Sequence, residues 1–461
     1  MAPDAAVTSD APPQRPRRPW SRTERAVPRL VVRPLQQFVR LEASGGLVLL
    51  GATIAALVWA NVAGGAYEDF WTTEVSLTIG DYQLEETVRD LVNDGLMALF
   101  FLVIGLEVKR ELAVGELSTP RAALLPVVAA VGGMVVPALV FLAVIGDGEG
   151  ARGWGIPMAT DVAFALGALA ALGRRVPTGL VAFLLGVAVI DDIGAILVIA
   201  VYYTETLALA WLVAAVVGLV AMAALQRVGV RYLLPYVVLG LAVWFCTLES
   251  GVHPTIAGVA IGLLTPVRPF QDPAAVSAEA VRIANETADE PDDPDADAEH
   301  WSRLAWLSRE AVSPLTRVEN NLHEWSSFVV LPIFALANAG IALDAASIEA
   351  ATETRVALAV ALGLVLGKTI GLTAGAALAV RLRIGVLPAG VRWAHVVGVG
   401  ALAGIGFTVS LFVAGLAYTD AVDLEAAKIG ILGGSVGAAV IGVAVLLAVS
   451  RRARSADGGS S

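Results

Sequence analysis

The chain has 461 residues, 57% of them hydrophobic and 16% charged, and its mean hydropathy is +0.74. Soluble chains of this length are rarely so apolar, and its single cysteine, Cys246, excludes a disulfide framework or a cysteine-rich metal site. The net charge of −11 is a poor global descriptor, because ten acids stand against Arg282 alone in residues 271–300.

Residues 1–40 carry eight arginines and seven prolines, with no early apolar region and no small-residue cleavage site. They read as a cytoplasmic tail rather than a signal peptide. From Leu41 to Val449, apolar runs of about 20 residues recur, each long enough to cross a hydrocarbon core of roughly 30 Å. Twelve spans are predicted, near 41–62, 90–111, 121–145, 155–172, 178–203, 207–226, 231–247, 251–266, 324–343, 355–380, 390–416 and 426–450. With the N-terminus inside, the tails and even-numbered connections hold 26 of the 31 Lys and Arg residues. Only Arg89, Arg152, Arg355 and Lys428 fall outside, and Lys368 falls within a span. That asymmetry is the positive-inside pattern for twelve spans with both ends, 1–40 and 451–461, cytoplasmic.

The outer segment 66–88 contains EVSLTIGDYQL, whose partial alternation around Gly80-Asp81 predicts a short β-hairpin. The cytoplasmic connection 267–318 contains the acidic run ending PDDPDADAEH and reads as a solvated, disordered loop. Two spans are interrupted. The fourth contains GWGIPMATD, with Gly153, Gly155 and Pro157 just before Thr160 and Asp161; the eleventh contains GVGALAGIGFTVS. Each is the middle member of a three-span group, spans 3–5 and 10–12. Matched breaks of this kind predict an inverted repeat whose opened helices meet near mid-membrane. The alternative is that these glycines only permit close helix packing.

Four charged side chains lie at depth: Asp161, Asp191, Asp192 and Lys368. On insertion scales each costs about 2.5–3.5 kcal/mol at a span centre, so together they would oppose insertion by roughly 10–14 kcal/mol. They must therefore be paired, hydrated or neutralised. Adjacent helical residues point about 100° apart, so Asp191 and Asp192 serve different directions. One is free to face an ion cavity while the other meets a helix partner. Lys368, in GLVLGKTIG, is the only basic residue deep enough to be that partner. Close carboxylates titrate as a unit, and a hard cation such as Na⁺ or Li⁺ can replace their protons at an oxygen site. Thr160 and opened backbone carbonyls would add oxygens. Proton and cation then compete for one site. A buried ion pair that merely fixes helix register is the competing explanation.

At the cytoplasmic end of span 2, GLEVKREL brings together Glu107, Lys109, Arg110 and Glu111. These fit either a snorkelling helix end or a pH-responsive cluster at a channel mouth. His253, in SGVHPTIAG, is a lone imidazole that reads first as structural.

The runs DGLMALFFLVIGLEVKREL (94–112), MATDVAFALG (158–167), VIDDIGAI (189–196), SGVHPTIAG (250–258), LPIFALANAG (331–340) and AGIGFT (403–408) resemble the NhaA-type bacterial Na⁺/H⁺ antiporters along 36–450. The resemblance implies an all-α polytopic protein of the inner (plasma) membrane, not an enzyme. It would be an electrogenic exchanger of cytoplasmic Na⁺ or Li⁺ for external H⁺, serving pH and sodium homeostasis. No cofactor and no nucleic-acid partner are implied. Asp192 would be the principal cation ligand, and Asp191 would bind protons and pair with Lys368. Thr160 and Asp161 would lie near the cation and the crossed helix ends. The Glu107–Glu111 cluster, with Glu319 of RVENNLHEW and more weakly His253, would form the pH-responsive region, and the 71–84 hairpin a homodimer contact. The Arg/Pro-rich tail and the insert around 271–312 lie outside the family pattern. Asn320 and Asn321 stand where that pattern has a histidine-containing motif.

Three other classes remain. A sodium-coupled solute symporter needs a roomy cavity and more deep polar groups than this sequence offers. An intramembrane aspartyl protease needs two acids facing across a water, which Asp161 and Asp192 could supply, but there is no Gly-x-Gly-Asp run and no task for Lys368. A channel leaves coupled buried charges without a use.

Overall fold

The computed structural model describes residues 44–79, 82–146, 148–204, 207–289, 294–343, 349 and 354–457. The expected tail at 1–40, the Gly80-Asp81 turn and the chain end from 458 lie outside them. Helix α1 (Ser44–Val62) and the short α2 (Gly64–Trp71) lead into strands β1 (Glu74–Ile79) and β2 (Tyr82–Thr87). These pair antiparallel, with Glu74 opposite Thr87 and Ile79 opposite Tyr82. Thr87 then starts α3 (Val88–Ala113) with a capping box: its hydroxyl accepts the Asp90 amide at 3.1 Å, and the Asp90 carboxylate accepts the Thr87 amide at 3.3 Å.

Helix α4 (Pro120–Ile145) is followed by a 3₁₀ segment, Glu149–Met158, then α5 (Val162–Leu172) and α6 (Thr178–Tyr202). Next come α7 (Leu209–Val228), α8 (Leu233–Glu249) and α9 (Thr255–Leu264). After the acidic connection, α12 (Pro314–Trp325) runs through a π turn (Ser326–Val330) into α13 (Leu331–Asn338). The last elements are α14 (Val356–Arg381), α15 (Trp393–Leu402), α16 (Phe407–Ala417) and α17 (Ala421–Asp457). The acidic connection itself supplies α10 (Pro273–Asp289) and α11 (Pro294–Glu310).

Among the described residues, eight helices are long and apolar enough to cross a membrane, with α15 and α16, bent by 50° at their break, as a ninth. Leu47, Leu50, Ile54 and Val58 of α1 and Val213, Val216, Val217 and Val220 of α7 are exposed. So much contiguous apolar surface belongs in lipid rather than in water, and the chain is a multi-pass membrane protein. Lipid gives apolar faces no reason to associate, so close backbone contact must hold the bundle. Between α4 and α14 a Cβ on Gly132 would sit 2.3 Å from the Gly371 carbonyl oxygen, and one on Gly371 2.1 Å from that of Gly132. Nothing larger than glycine fits at that crossing, which brings Lys368 against the middle of the bundle.

The acidic insert departs from expectation. It is a helical hairpin, α10 and α11, rather than a disordered loop, over all but residues 290–293, which lie outside the described set. Charge counting missed two local features. Proline opens each helix, where its missing N–H costs nothing. Val276 and Ile283, two turns apart, give α10 a buried stripe. Glu279 bonds Arg282 at 2.7 Å and reaches Arg303 of α11 at 3.1 Å. The base is clasped to the bundle by Arg231, which bonds Glu310 at 2.9 Å and lies 4.9 Å from the Phe270 ring centroid. Ile283 is fully buried. Ile283→Asp should therefore open the hairpin, because an unpaired buried charge costs several kcal/mol. Amide exchange over 273–289 and 298–310 should quicken about a hundredfold while α4 and α6 are unchanged; an unaltered hairpin would show that this stripe does not order it.

At the other end of the bundle, the Tyr67 hydroxyl lies 2.8 Å from the Leu336 carbonyl and 2.9 Å from that of Ala337, and accepts the Gly340 amide at 3.2 Å. Burial pushes this phenol up to about 12, so it stays a neutral donor that ties α2 to the end of α13.

Candidate functional site

The two interrupted segments meet. The first passes from 3₁₀ into extended backbone at Ala159 and Asp161 before α5 begins; the second opens between α15 and α16. Each break frees backbone groups that the other segment satisfies. The Asp161 amide donates to the Ile405 carbonyl at 2.5 Å, and the Thr160 hydroxyl lies 2.8 Å from the Ala403 carbonyl. Ser410 donates to the Ile156 carbonyl at 2.8 Å, and the Gly406 amide donates to Ser435 of α17 at 3.3 Å. No unsatisfied polar backbone is tolerated at membrane depth unless protein or a wet cavity surrounds it, and this cross-bonding supplies that need.

Asp161 caps two helices at once. Its Oδ1 accepts the Phe164 amide in the first turn of α5 at 3.2 Å. Its Oδ2 accepts the Thr408 amide at 3.1 Å and the Thr408 hydroxyl at 2.6 Å, in the first turn of α16. A carboxylate there answers the positive ends of two helix dipoles. Lys368 answers the opposite sign: its Nζ donates to the Met158 carbonyl, at the end of the 3₁₀ segment, and lies 2.7 Å from Asp191 Oδ2. One acid and one base thus compensate the two breaks.

Asp191 Oδ2 carries a double load, since the Thr160 hydroxyl also lies 2.8 Å from it. Asp191 Oδ1 is buried without a partner, and Asp191 and Lys368 are both fully buried. Asp192, one residue on, retains 7% exposure and makes no hydrogen bond or ion pair among the described residues. The helix therefore does direct the adjacent carboxylates differently, one into the ion pair and one away from it. Together they present a bare carboxylate, an orphaned carboxylate oxygen, a hydroxyl and nearby carbonyls, a donor set suited to a hard cation.

The cytoplasmic candidates form a second group. Arg110 Nη1 lies 2.5 Å from Glu319 Oε1, and its Nη2 lies 3.8 Å from Glu111 Oε1; Glu319 is buried. Glu107 lies on the same helix as Arg110 and Glu111, about one turn before them. Lys109 makes no ion pair among the described residues. His253 is not brought to this cluster. Its Nε2 lies 3.5 Å from Asp94 Oδ1, its Nδ1 lies 2.9 Å from the Thr255 hydroxyl, and its ring meets Phe412 edge-on at 5.0 Å. Asp94 and Glu107 sit on the same helix, roughly 20 Å apart at 1.5 Å per residue, so the imidazole belongs to a separate polar contact.

Sequence reasoning did not single out Thr408, Asp94 or the Met158, Ala403 and Ile405 carbonyls. Thr408 had a signal, since it follows the second break as Thr160-Asp161 follows the first.

A family model described as Na⁺/H⁺ antiporter 1 matches residues 36–446. The chain is 45% identical over 425 residues to "Na(+)/H(+) antiporter NhaA 2" of Sorangium cellulosum, covering 91% of each chain. It is 44% identical over 415 residues to "Na(+)/H(+) antiporter NhaA" of Janthinobacterium sp., covering 89% of this chain and 92% of that one. With the protein of the same name from Syntrophobacter fumaroxidans, identity is 45% over 434 residues and 92% of each chain. By the reach of the family match and the identity of these relatives, the chain belongs to the Na⁺/H⁺ antiporter 1 family.

Proposed function

We propose that this chain exchanges Na⁺ or Li⁺ for H⁺ across a bacterial inner membrane, electrogenically, at one site built on Asp192 and Asp191. The observation that carries this reading is the pairing of a bare Asp192 with an Asp191 whose second oxygen is orphaned. Held in a dry bundle, that pair attracts a positive charge of either kind. A small cation takes Asp192 and the free oxygen of Asp191, with Thr160 and a break carbonyl as further ligands. Protons displaced from the carboxylates leave to the side then open, and re-protonation on the other side expels the cation. One Na⁺ that displaces a proton from each of the two carboxylates leaves the site one positive charge poorer, so loaded and protonated states differ in charge.

In the same reading the apolar segments make twelve spans with both termini cytoplasmic. Spans 3–5 and 10–12 form an inverted repeat, and the interrupted segments are two broken spans crossing near mid-membrane. Glu107, Lys109, Arg110, Glu111 and Glu319 tune access with pH from the cytoplasmic mouth. The β1–β2 hairpin serves as a contact between two copies, and the exchange supports pH and sodium homeostasis. The symporter alternative fares worse. Among the described residues, an open pocket of about 350 Å³ is lined by Met134, Val135, Leu139, Leu142, Trp154 and Met158 among others, and this lining offers an organic solute no ionisable group.

The test uses purified protein in liposomes with an internal pH dye and an imposed acid-inside gradient. Added Na⁺ or Li⁺ should alkalinise the interior, and choline should not. Folded protein that gives no sodium-dependent alkalinisation would overturn the exchanger reading; alkalinisation that requires an organic solute would favour a symporter.

A further inference from the structure

We propose that the connection from α14 to α15, residues 382–392, together with the turn around Arg175, is a docking surface for anionic phospholipid headgroups. Arg175, Arg381, Arg383 and Arg392 would hold the phosphates while Leu382, Ile384, Val386 and Trp393 enter the acyl boundary. The inference does not depend on which ions the chain carries.

The first observation is charge of one sign. The sequence has no Asp or Glu from Val356 to Thr419 or from Val162 to Ile190. The four arginines are exposed, and none makes an ion pair with another described residue. The fold gathers them from separate connections. Pro388 abuts Gly179, Pro177 abuts Gly390, and Ser450 of α17 donates to the Arg175 carbonyl at 3.2 Å.

The second observation is backbone. Arg383 has φ 59° just past the end of α14, where its amide bonds the Val380 carbonyl at 3.0 Å and the Ile384 amide bonds that of Ala379 at 3.0 Å. Glycine is the usual residue at such a left-handed helix end. A charged side chain kept in a sparsely populated conformation points to a task for that charge.

The third observation selects the ligand. Between the arginines, Leu382 is 58% exposed, Val386 84% and Trp393 41%. A free phosphate would satisfy the guanidinium groups and leave these side chains in water. A lipid satisfies both, since guanidinium pairs bidentately with phosphate and apolar side chains with tryptophan settle at the headgroup–acyl boundary. Each basic residue at such a surface contributes to retention of anionic lipid. The connection also joins the helix carrying Lys368 to α15, which ends at Leu402 just before the Ala403 carbonyl, so headgroups held here lie on the chain path between two parts of the ion site.

The experiment places full-length protein in phosphatidylcholine vesicles containing either brominated phosphatidylglycerol or brominated phosphatidylcholine at equal mole fraction. The fluorescence of Trp393 is taken as the difference between wild type and Trp393→Phe. The brominated anionic lipid should quench that component at least about twofold more than the zwitterionic one, as arginine–headgroup attraction of ordinary size would give. The preference should vanish in Arg381→Gln/Arg383→Gln/Arg392→Gln. It should weaken in Arg383→Gly, which keeps the left-handed backbone without strain and so tests the charge even if the triple variant misfolds. Equal quenching by both lipids in wild type, or a preference unchanged in Arg383→Gly and the triple variant, overturns the proposal. So does loss of the preference on adding millimolar glycerol phosphate, which would mark a free-phosphate site instead.

Discussion

Alanine at Asp192 should eliminate sodium-driven alkalinisation in liposomes, by at least about a hundredfold, without lowering thermal stability. The two halves of this expectation have one cause. Asp192 has no hydrogen bond or ion pair among the described residues, so its removal takes no contact away from the fold. A carboxylate inside a bundle costs about 2.5–3.5 kcal/mol when nothing answers it, and substitution by alanine relieves that cost. The unfolding midpoint should stay level or rise. The transported ion, however, loses its unobstructed anionic ligand. Asp191 cannot take over, because Lys368 and Thr160 already occupy Oδ2 and only Oδ1 remains. At 1.4 kcal/mol per tenfold, loss of about 3 kcal/mol of ion binding accounts for the hundredfold effect. Asp161→Asn offers the contrast. It leaves one amide oxygen where a carboxylate caps two helices, so it should lower the unfolding midpoint as well as exchange. Should Asp192→Ala exchange sodium at wild-type rate, or melt markedly lower, the bare carboxylate is not the ion ligand.

The difference between these two aspartates shows how far a sequence can be read. That Asp161, Asp191, Asp192 and Lys368 needed compensation followed from bilayer physics alone, and so did the pairing of one acid with Lys368, the only base at depth. The runs around them carried the family. What periodicity could not supply was the identity of the remaining partners. Met158, Ala403 and Ile405 act through backbone carbonyls, which any residue has, and they become ligands only because two helices open beside each other. Asp161 gave no sign of capping a helix 247 residues away through Thr408. The acidic insert failed for the opposite reason: its composition was loud and its local pattern quiet. Ten acids suggested a solvated coil, while the spacing of Val276 and Ile283 and a proline at each helix start specified a hairpin. His253, a lone imidazole that reads first as structural, sits apart from the cytoplasmic cluster, against Asp94 and Thr255.

Removal of Lys368 should have the second large effect, and here stability and coupling should fall together. The ammonium neutralises Asp191 and also holds the Met158 carbonyl at the end of the 3₁₀ segment. In Lys368→Ala both are abandoned. Asp191 would keep only the Thr160 hydroxyl, with Oδ1 already lacking a partner. Breaking a buried pair from one side costs about 3–5 kcal/mol, whereas replacing both members with neutral groups is often close to neutral. Lys368→Ala should therefore melt well below wild type, and Asp191→Asn/Lys368→Met should recover most of the loss. Such non-additivity is what two groups in direct contact produce. Transport should divide differently. If Lys368 is one of the charges that changes partner between the loaded and protonated states, neither variant can move the wild-type charge per sodium. An imposed membrane potential should then accelerate exchange in wild type and have little effect on whatever activity the double variant retains. A register-fixing ion pair makes the opposite forecast, in which the double variant regains both stability and voltage response. Measuring the two quantities on the same three proteins separates a pair that only holds helices together from one that takes part in exchange.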